Sequence, residues 1–389
     1  MELRQADSES DRDQTWEIVR RAFNAPKERR ERWDDGSPNH MLWGLYGDGD
    51  VLLATAKVID FTQVFGGAPV PMAGISGVGV APEQRGRGRA SELFRRLLPT
   101  LRERGFPISG LMPASTGLYR SVGYEIAAKW SQLTLPTRAL HGLPRALDID
   151  VRVATVADIP VIAAHERAFG LAYDGWVDPG EDWWAWFGRN DYESGYGYVA
   201  LDGDQVIGDT WYRQSDDPKW GYGIEVLGLA AEQRAVLLAL FHAIGSSSTM
   251  ARSLTITSPM ERALLLLLPE QELETVKEIG YMLRVCDVPS AIAARGYTVG
   301  LSASIDIELR DPVVADNDGR WRITVEDGTG RAERGGDGTV QMDANAFASL
   351  YSGWATPALL RLTGHLTGGD AAGLAAMFAG PMPIANQFF

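Results

Sequence analysis

Between residues 90 and 102 apolar side chains recur every three and four positions. Ala90, Leu93, Phe94, Leu97, Leu98 and Leu101 share one face, and Arg95, Arg96 and Arg102 take the other, which predicts an amphipathic helix. Ahead of it, the apolar segment Gly74–Val80 reads as a short strand that gives way to Pro82 and the loop Arg85-Gly-Arg-Gly-Arg89. Residues 108–113 read as a further strand, and 114–124 as a helix stopped by Gly123. After Pro289 the pattern changes. Leu301–Leu309 and Arg320–Glu326 alternate like half-buried strands, and glycine-rich turns near 328–338 predict exposed loops. Residues 344–348, 356–362 and 370–379 read as helices, the last capped by Asp370. The segment Pro381–Phe389 is too apolar for an ordinary frayed tail.

The middle of the chain repeats the beginning. Gly-Ile-Ser-Gly-Val-Gly-Val-Ala-Pro-Glu-Gln-Arg at 74–85 returns as Gly-Ile-Glu-Val-Leu-Gly-Leu-Ala-Ala-Glu-Gln-Arg at 223–234. Arg-Ala-Phe occurs at 21–23 and 167–169, Asp-Gly-Asp at 48–50 and 202–204, and Gly-Tyr at 123–124 and 280–281. Such self-similarity indicates a duplicated unit. Ala235, Val236, Leu237 and Leu238 stand where the first copy has Gly86, Arg87, Gly88 and Arg89, and Leu265 stands opposite Tyr119. The second copy therefore reads as degenerate. A chain of 389 residues exceeds one hydrophobic core, and the pattern divides it into units at 1–145, 146–289 and 290–389.

Composition narrows the class. Apolar residues make up 45% and charged residues 23%, the balance of a packed globular protein rather than a disordered chain. The N-terminus lacks the apolar core of a signal peptide, and the longest aliphatic run, Leu264–Leu268, is far short of the roughly 20 residues that span a bilayer. A cytoplasmic location without membrane attachment is expected. The single cysteine, Cys286, excludes an internal disulfide and reads as a small buried side chain, and no metal site is indicated. A net charge of −14 argues against a nucleic-acid partner and draws cationic substrates by its long-range field.

The chemistry concentrates at the glycine-arginine loop. A loop opening straight into a helix offers unpaired N–H groups at the positive end of the helix dipole, and glycines let that backbone approach an anion closely. With Arg85, Arg87 and Arg89 beside it, the site suits a pyrophosphate. The run Arg85-Gly86-Arg87-Gly88-Arg89-Ala90 resembles the Arg/Gln-x-x-Gly-x-Gly/Ala motif of the GNAT acetyltransferases, which holds the pyrophosphate of acetyl-CoA. The resemblance implies that Val78, Gly79 and Val80 supply strand backbone groups to the pantetheine arm, and that Ser115 belongs to the same cofactor site. Tyr119 stands four residues before Gly123. That matches the family's Tyr-x-x-x-Gly-Phe/Tyr element, in which the tyrosine gives a proton to the departing CoA thiolate. A phenol remains protonated at neutral pH and suits that task.

Two such units followed by an α+β segment resemble the Eis (enhanced intracellular survival) family: an active GNAT domain, a degenerate GNAT domain and a sterol carrier protein-like domain, an α/β (α+β) chain throughout. The resemblance implies that the main-chain carboxylate of Phe389 reaches the first unit's site as general base. It also implies a homo-oligomer, a hexamer, as the working assembly. Its acceptors are primary amines of cationic small molecules, among them aminoglycosides, although Phe388 stands where some members carry an acid. Trp16, Phe23 and Trp33 are candidates for lining the acceptor pocket or for core, and Asp34 and Asp35 for gripping an ammonium. Without a cysteine near the motif, direct transfer in a ternary complex is expected over a ping-pong route. Two readings stay open beside this one: an acetyltransferase for a lysine, peptide or biosynthetic amine, and a lipid-binding protein.

Overall fold

In the first turn of the chain's first helix, α1 (Glu9–Phe23), Ser8 and Asp11 cap each other. Ser8 Oγ accepts the Asp11 N–H, and the Asp11 carboxylate accepts the Ser8 N–H. Arg4, on strand β1 (Glu2–Gln5), donates to the same carboxylate at 2.8 and 3.1 Å, and the Tyr46 hydroxyl donates at 2.8 Å. The computed structural model describes the chain except residues 31, 32, 34–38, 147, 191–194, 217–220, 258 and 271, and except the side chains of 188–190.

The first unit continues through β2 (His40–Tyr46), β3 (Leu52–Phe65), β4 (Ala68–Val80), α2 (Arg89–Glu103), β5 (Ile108–Leu111), the single-turn α3 (Thr116–Arg120) and β6 (Glu125–Pro136). Helix α2 buries Leu93, Phe94, Leu97, Leu98 and Leu101 against the sheet, the face that the periodicity predicts. The second unit comprises β7 (Asp150–Val153), α4 (Ile159–Gly170), β8 (Val177–Asp178), α5 (Glu181–Asn190), β9 (Tyr196–Asp202), β10 (Gln205–Asp216), β11 (Tyr222–Ala231), α6 (Arg234–Gly245), β12 (Ala251–Thr257), α7 (Met260–Leu267) and β13 (Glu274–Val285).

The two units share one sheet. Its order among the described residues is β1-β2-β3-β4-β5-β13-β6-β12-β11-β10-β9-β7, with β8 paired to β3. The last strand of each unit is exchanged: β13 lies between β5 and β6, and β6 lies between β13 and β12. A continuous ladder closes what would otherwise be two exposed edges. The join is buried, with Tyr281, Met282, Leu283 and Val285 all inaccessible to solvent.

The third unit starts with α8 (Val288–Ala294) and forms a second sheet, in the order β16-β15-β14-β17-β18, from β14 (Ser302–Arg310), β15 (Gly319–Glu326), β16 (Thr329–Arg334), β17 (Val340–Asp343) and β18 (Leu366–Gly368). Helices α9 (Ala344–Tyr351), α10 (Pro357–Leu362) and α11 (Ala371–Met377) complete it, and Asp370 caps α11. One expectation fails here. Residues 329–334 form a strand, not an exposed loop, because Asp327 and Gly328 adopt positive φ (45° and 80°) and turn the chain back onto β15. Helix α9 lies on β6 and β13, where Ser349 Oγ donates to the Ile126 carbonyl at 2.7 Å. A buried ion pair, Arg284 to Asp311 at 2.5 Å, ties β13 to the third unit. Among the described residues no helix is long and apolar enough to cross a membrane.

Candidate active site

Strands β4 and β5 run parallel and pair only from Met72–Ile108 to Ile75–Leu111. Beyond that β5 has ended while β4 continues to Val80, so Ser76–Val80 face a gap on that side. A register shift opposite Thr55–Lys57 and the positive φ of Gly77 (57°) turn β4 away from β5. Val78 and Val80 are half-buried at this gap, and Gly79 is packed against Ile18 of α1. The free edge offers backbone donors and acceptors to an extended ligand.

The loop after β4 ends at Gly88, the N-cap of α2. Gly86 and Gly88 hold φ of 73° and 71°, and a β-carbon added at either would meet nothing within 4 Å. Solvent therefore lies over both. The first intrahelical bond of α2 runs from Glu92 N–H to Gly88 O at 3.0 Å, so the amides of Arg89, Ala90 and Ser91 precede the ladder and point outward. Arg85 and Arg87 are exposed beside them. Arg89 is half-buried and turned aside, its guanidinium contacting Gln84 Oε1 at 3.3 Å and Met1 Sδ at 2.8 Å. Ala90 packs in the first turn of the helix. This open cradle of two glycines and three amides, flanked by arginines, fits a pyrophosphate.

Tyr119, on α3, is buried with its ring edge-on to Phe94 and Tyr124, at centroid distances of 5.4 and 5.9 Å. Burial pushes its phenol up to about 12. Tyr124 is committed elsewhere. Ser109 Oγ donates to the Ala73 carbonyl at 2.8 Å, so the Tyr124 hydroxyl, 2.8 Å from that oxygen, must spend its proton on Ser109. Ser115 is exposed at the N-cap of α3 and makes no capping bond.

The C-terminal tail enters the same sheet. Ile384 N–H donates to Asp174 O at 2.8 Å and Ala385 N–H to Lys129 O at 3.0 Å. Asn386 clamps β8, with Oδ1 accepting the Val177 N–H at 2.7 Å and Nδ2 donating to the Val177 carbonyl at 3.1 Å. The Phe389 ring then rests edge-on against Phe61 at 5.0 Å and near Tyr281 at 6.4 Å. Paired glycines make the room: a β-carbon on Gly74 would stand 3.2 Å from the Phe389 ring, and one on Gly110 1.6 Å from the Tyr281 hydroxyl. Tail and cradle thus meet on the strand pair whose parting opens the gap. Phe61, Tyr281 and Asn386 escape a sequence reading, because their roles depend on a tail whose path no local pattern encodes.

Of the aromatic candidates, Trp16 is core, Phe23 is exposed, and Trp33 lies over Gly77 at the mouth of the gap. Asp34 and Asp35 lie outside the described residues.

Family models for an acetyltransferase (GNAT) domain match residues 2–127 and again 175–285, and one for a sterol carrier protein domain matches 288–386. A GCN5-related N-acetyltransferase from Kribbella flavida is 32% identical over 100% of this chain and 98% of its own, with a TM-score of 0.87. The chain belongs to the Eis-type GCN5-related N-acetyltransferases. A homologue from Anabaena variabilis superposes with a TM-score of 0.92 at 28% identity, each chain covered in full. The N-acetyltransferase Eis of Mycobacterium tuberculosis is 26% identical over 88% of this chain and 87% of its own. As an Eis-type protein this is an acyltransferase, and GNAT acetyltransferases as a class draw on acetyl-CoA. The two-GNAT and sterol carrier architecture expected from the sequence is the one observed.

Proposed function

We propose that the chain transfers the acetyl group of acetyl-CoA directly to a primary amine of a small molecule. The parting of β4 from β5 above an open two-glycine cradle carries this reading, because it offers an extended thioester ligand a free strand edge and an anion site at one end. The first-turn amides of α2, with Arg85, Gly86, Arg87, Gly88, Arg89 and Ala90 around them, hold the pyrophosphate. Val78, Gly79 and Val80 pair with the pantetheine, and Ser115 borders it. In a ternary complex the amine attacks the thioester carbonyl, so that a C–N bond forms and the C–S bond breaks. The substrate ammonium loses two protons on becoming an amide: the first goes to the main-chain carboxylate of Phe389 before attack, and the second, released from the nitrogen after it, makes good the proton that Tyr119 gives to the leaving thiolate. With its phenol pushed up to about 12 by burial, Tyr119 is protonated throughout the physiological range.

By the same family likeness, the working form is a cytoplasmic homo-oligomer, a hexamer, with units at 1–145, 146–289 and 290–389 and without nucleic-acid or membrane partners. The decisive experiment extends the chain beyond Phe389 with a short tag, replacing the carboxylate by an amide. Turnover should fall by about 10² or more, while an N-terminal tag is harmless and acetyl-CoA affinity holds in both. Equal turnover of the two tagged forms would remove Phe389 from the mechanism.

A further inference from the structure

A cleft of about 490 Å3 opens between the tail and the second unit. Its walls are flat. Trp183 and Phe187 stack at 5.3 Å with planes 3° apart, Trp211 meets Phe187 at 4.5 Å, and Trp130 faces Phe388 at 5.5 Å. Aromatic walls in a concave site favour a planar apolar ring.

The charges at the cleft give the ligand's sign. Among the described residues lining it, Glu225 is the one carboxylate, and it already accepts from Arg213 at 2.7 Å and from Gln132 at 3.2 Å. Lys277 has no carboxylate partner among the described residues. Its ammonium stands at the rim, 5.7 Å from the Trp130 ring and 5.4 Å from the Phe388 ring. Behind the cleft, Asp209 is engaged by His165, whose Nδ1 stands 2.6 Å away, and burial, reinforced by Asp209, pushes the Glu166 carboxyl well up. The chain's net charge of −14 acts from farther away, and at physiological salt it is screened beyond about 8 Å. Phe388 lines this cleft, and the next residue, Phe389, lies over Gly74 in the first unit.

We propose that this cleft selects the acceptor, and that the acceptor is an alkyl amine borne on a planar aromatic ring that also carries an acidic group, its acid at Lys277 and its amine toward Phe389, rather than a polycation such as an aminoglycoside. The amine end rests on the acetyl-transfer reading above; binding of an aromatic acid does not.

The test has two arms on the full chain. Phenylacetate, which has ring and acid but no amine, should quench tryptophan fluorescence on binding, and Lys277→Glu should weaken it about tenfold while acetyl-CoA affinity is retained. In turnover, 4-(2-aminoethyl)benzoate should exceed 2-phenylethylamine about tenfold in kcat/KM, with spermidine behind both, and Lys277→Glu should erase the first advantage. Equal phenylacetate affinity in wild type and variant, or a preference for spermidine, overturns the proposal. Phenylacetate binding that depends on Lys277, with no acetyl transfer to any amine, would keep the ligand class and overturn acetyl transfer instead.

Discussion

In the first unit the chain leaves β4 at Val80 and passes through an exposed loop to Gly88 before α2 begins at Arg89. In the second it leaves β11 at Ala231, and α6 begins at Arg234, the counterpart of Arg85 and about a turn earlier. The sheets beneath are alike, since β11 and β12 also pair in parallel only as far as Val226–Ile256, leaving Leu227–Ala231 without a partner on that side. What differs is the pair of left-handed glycines. Where Gly86 and Gly88 arrest the helix, Ala235 and Leu237 let it run on, and Val236, Leu237 and Leu238 are buried. The amides that would bind phosphate have been absorbed into helical hydrogen bonds. The second unit lost its anion site by helix propagation, with its strand geometry intact. On the other side of β11, Trp211 of β10 is the cross-strand partner of Gly228 and lies over it so closely that a β-carbon there would be 1.9 Å from the indole nitrogen.

The sharpest way to break this comparison is to convert one unit toward the other. Gly88→Leu places a branched side chain at φ 71° and removes the block to helix propagation. A β-carbon there meets nothing within 4 Å and the loop is exposed, so the fold should persist. Acetyl-CoA affinity should fall by about 10² or more, while Leu237→Gly in the second unit should leave it unchanged. Calorimetric titration beside circular dichroism decides the matter, and an undiminished affinity in Gly88→Leu would place the pyrophosphate elsewhere.

The second unit also lacks a phenol at the position of Tyr119, where Leu265 lies exposed on α7. Tyr119→Phe should lower turnover about 10²-fold with acetyl-CoA affinity retained. Because burial raises the phenol to about 12, its proton stays in place well above neutrality, and turnover should show no alkaline loss from this group below about pH 10. A decline near pH 9 that vanishes in the variant would contradict the assignment.

The tail sharpens the contrast further, because it is anchored on the second unit and delivers Phe389 to the first. Asn386→Ala removes both bonds to Val177. Two neutral hydrogen bonds at a half-buried position are worth about 1 to 2 kcal/mol together, so kcat should fall about tenfold while KM for acetyl-CoA stays constant. If both parameters stay at wild-type values, the tail is held by its rings alone.

Sequence patterns reveal the parts of this molecule whose partners are local. The buried face of α2, the left-handed loop glycines and the cap at Asp370 depend on residues within a turn or two of one another. The strand exchange escapes because an alternating pattern marks at most a strand and never names its neighbours, which for β6 and β13 lie more than a hundred positions away. The aromatic cleft escapes for a related reason: Trp130, Trp183, Phe187 and Trp211 belong to three different elements. Looking for lost glycines in the second copy shows what departed and not what replaced it. Another legible signal passes unnoticed among larger repeats. Arg4, Ser8 and Asp11 recur as Arg152, Thr155 and Asp158.

That last pair allows the finest test, because here the two units are the same. In the second, Thr155 and Asp158 form the reciprocal cap, and Arg152 donates to the Asp158 carboxylate at 2.8 and 2.9 Å. In each unit the arginine, first among several donors, holds the aspartate well below the usual carboxylate range. A carboxyl depressed in the folded state stabilises the fold above the unfolded pKa of about 3.9, and that contribution fades as pH falls below it. Asp11→Asn and Asp158→Asn should therefore each cost about 2 kcal/mol at pH 7 by denaturant unfolding, and less at pH 3. Asp11 has one partner that Asp158 lacks among the bonds described, the Tyr46 hydroxyl, so its variant should be the worse by about 0.5 to 1 kcal/mol. Since β6 and β13 are interleaved, the damage should not stay in one half. Either variant should shift a single cooperative transition, and two separated transitions would show that the shared sheet does not couple the units.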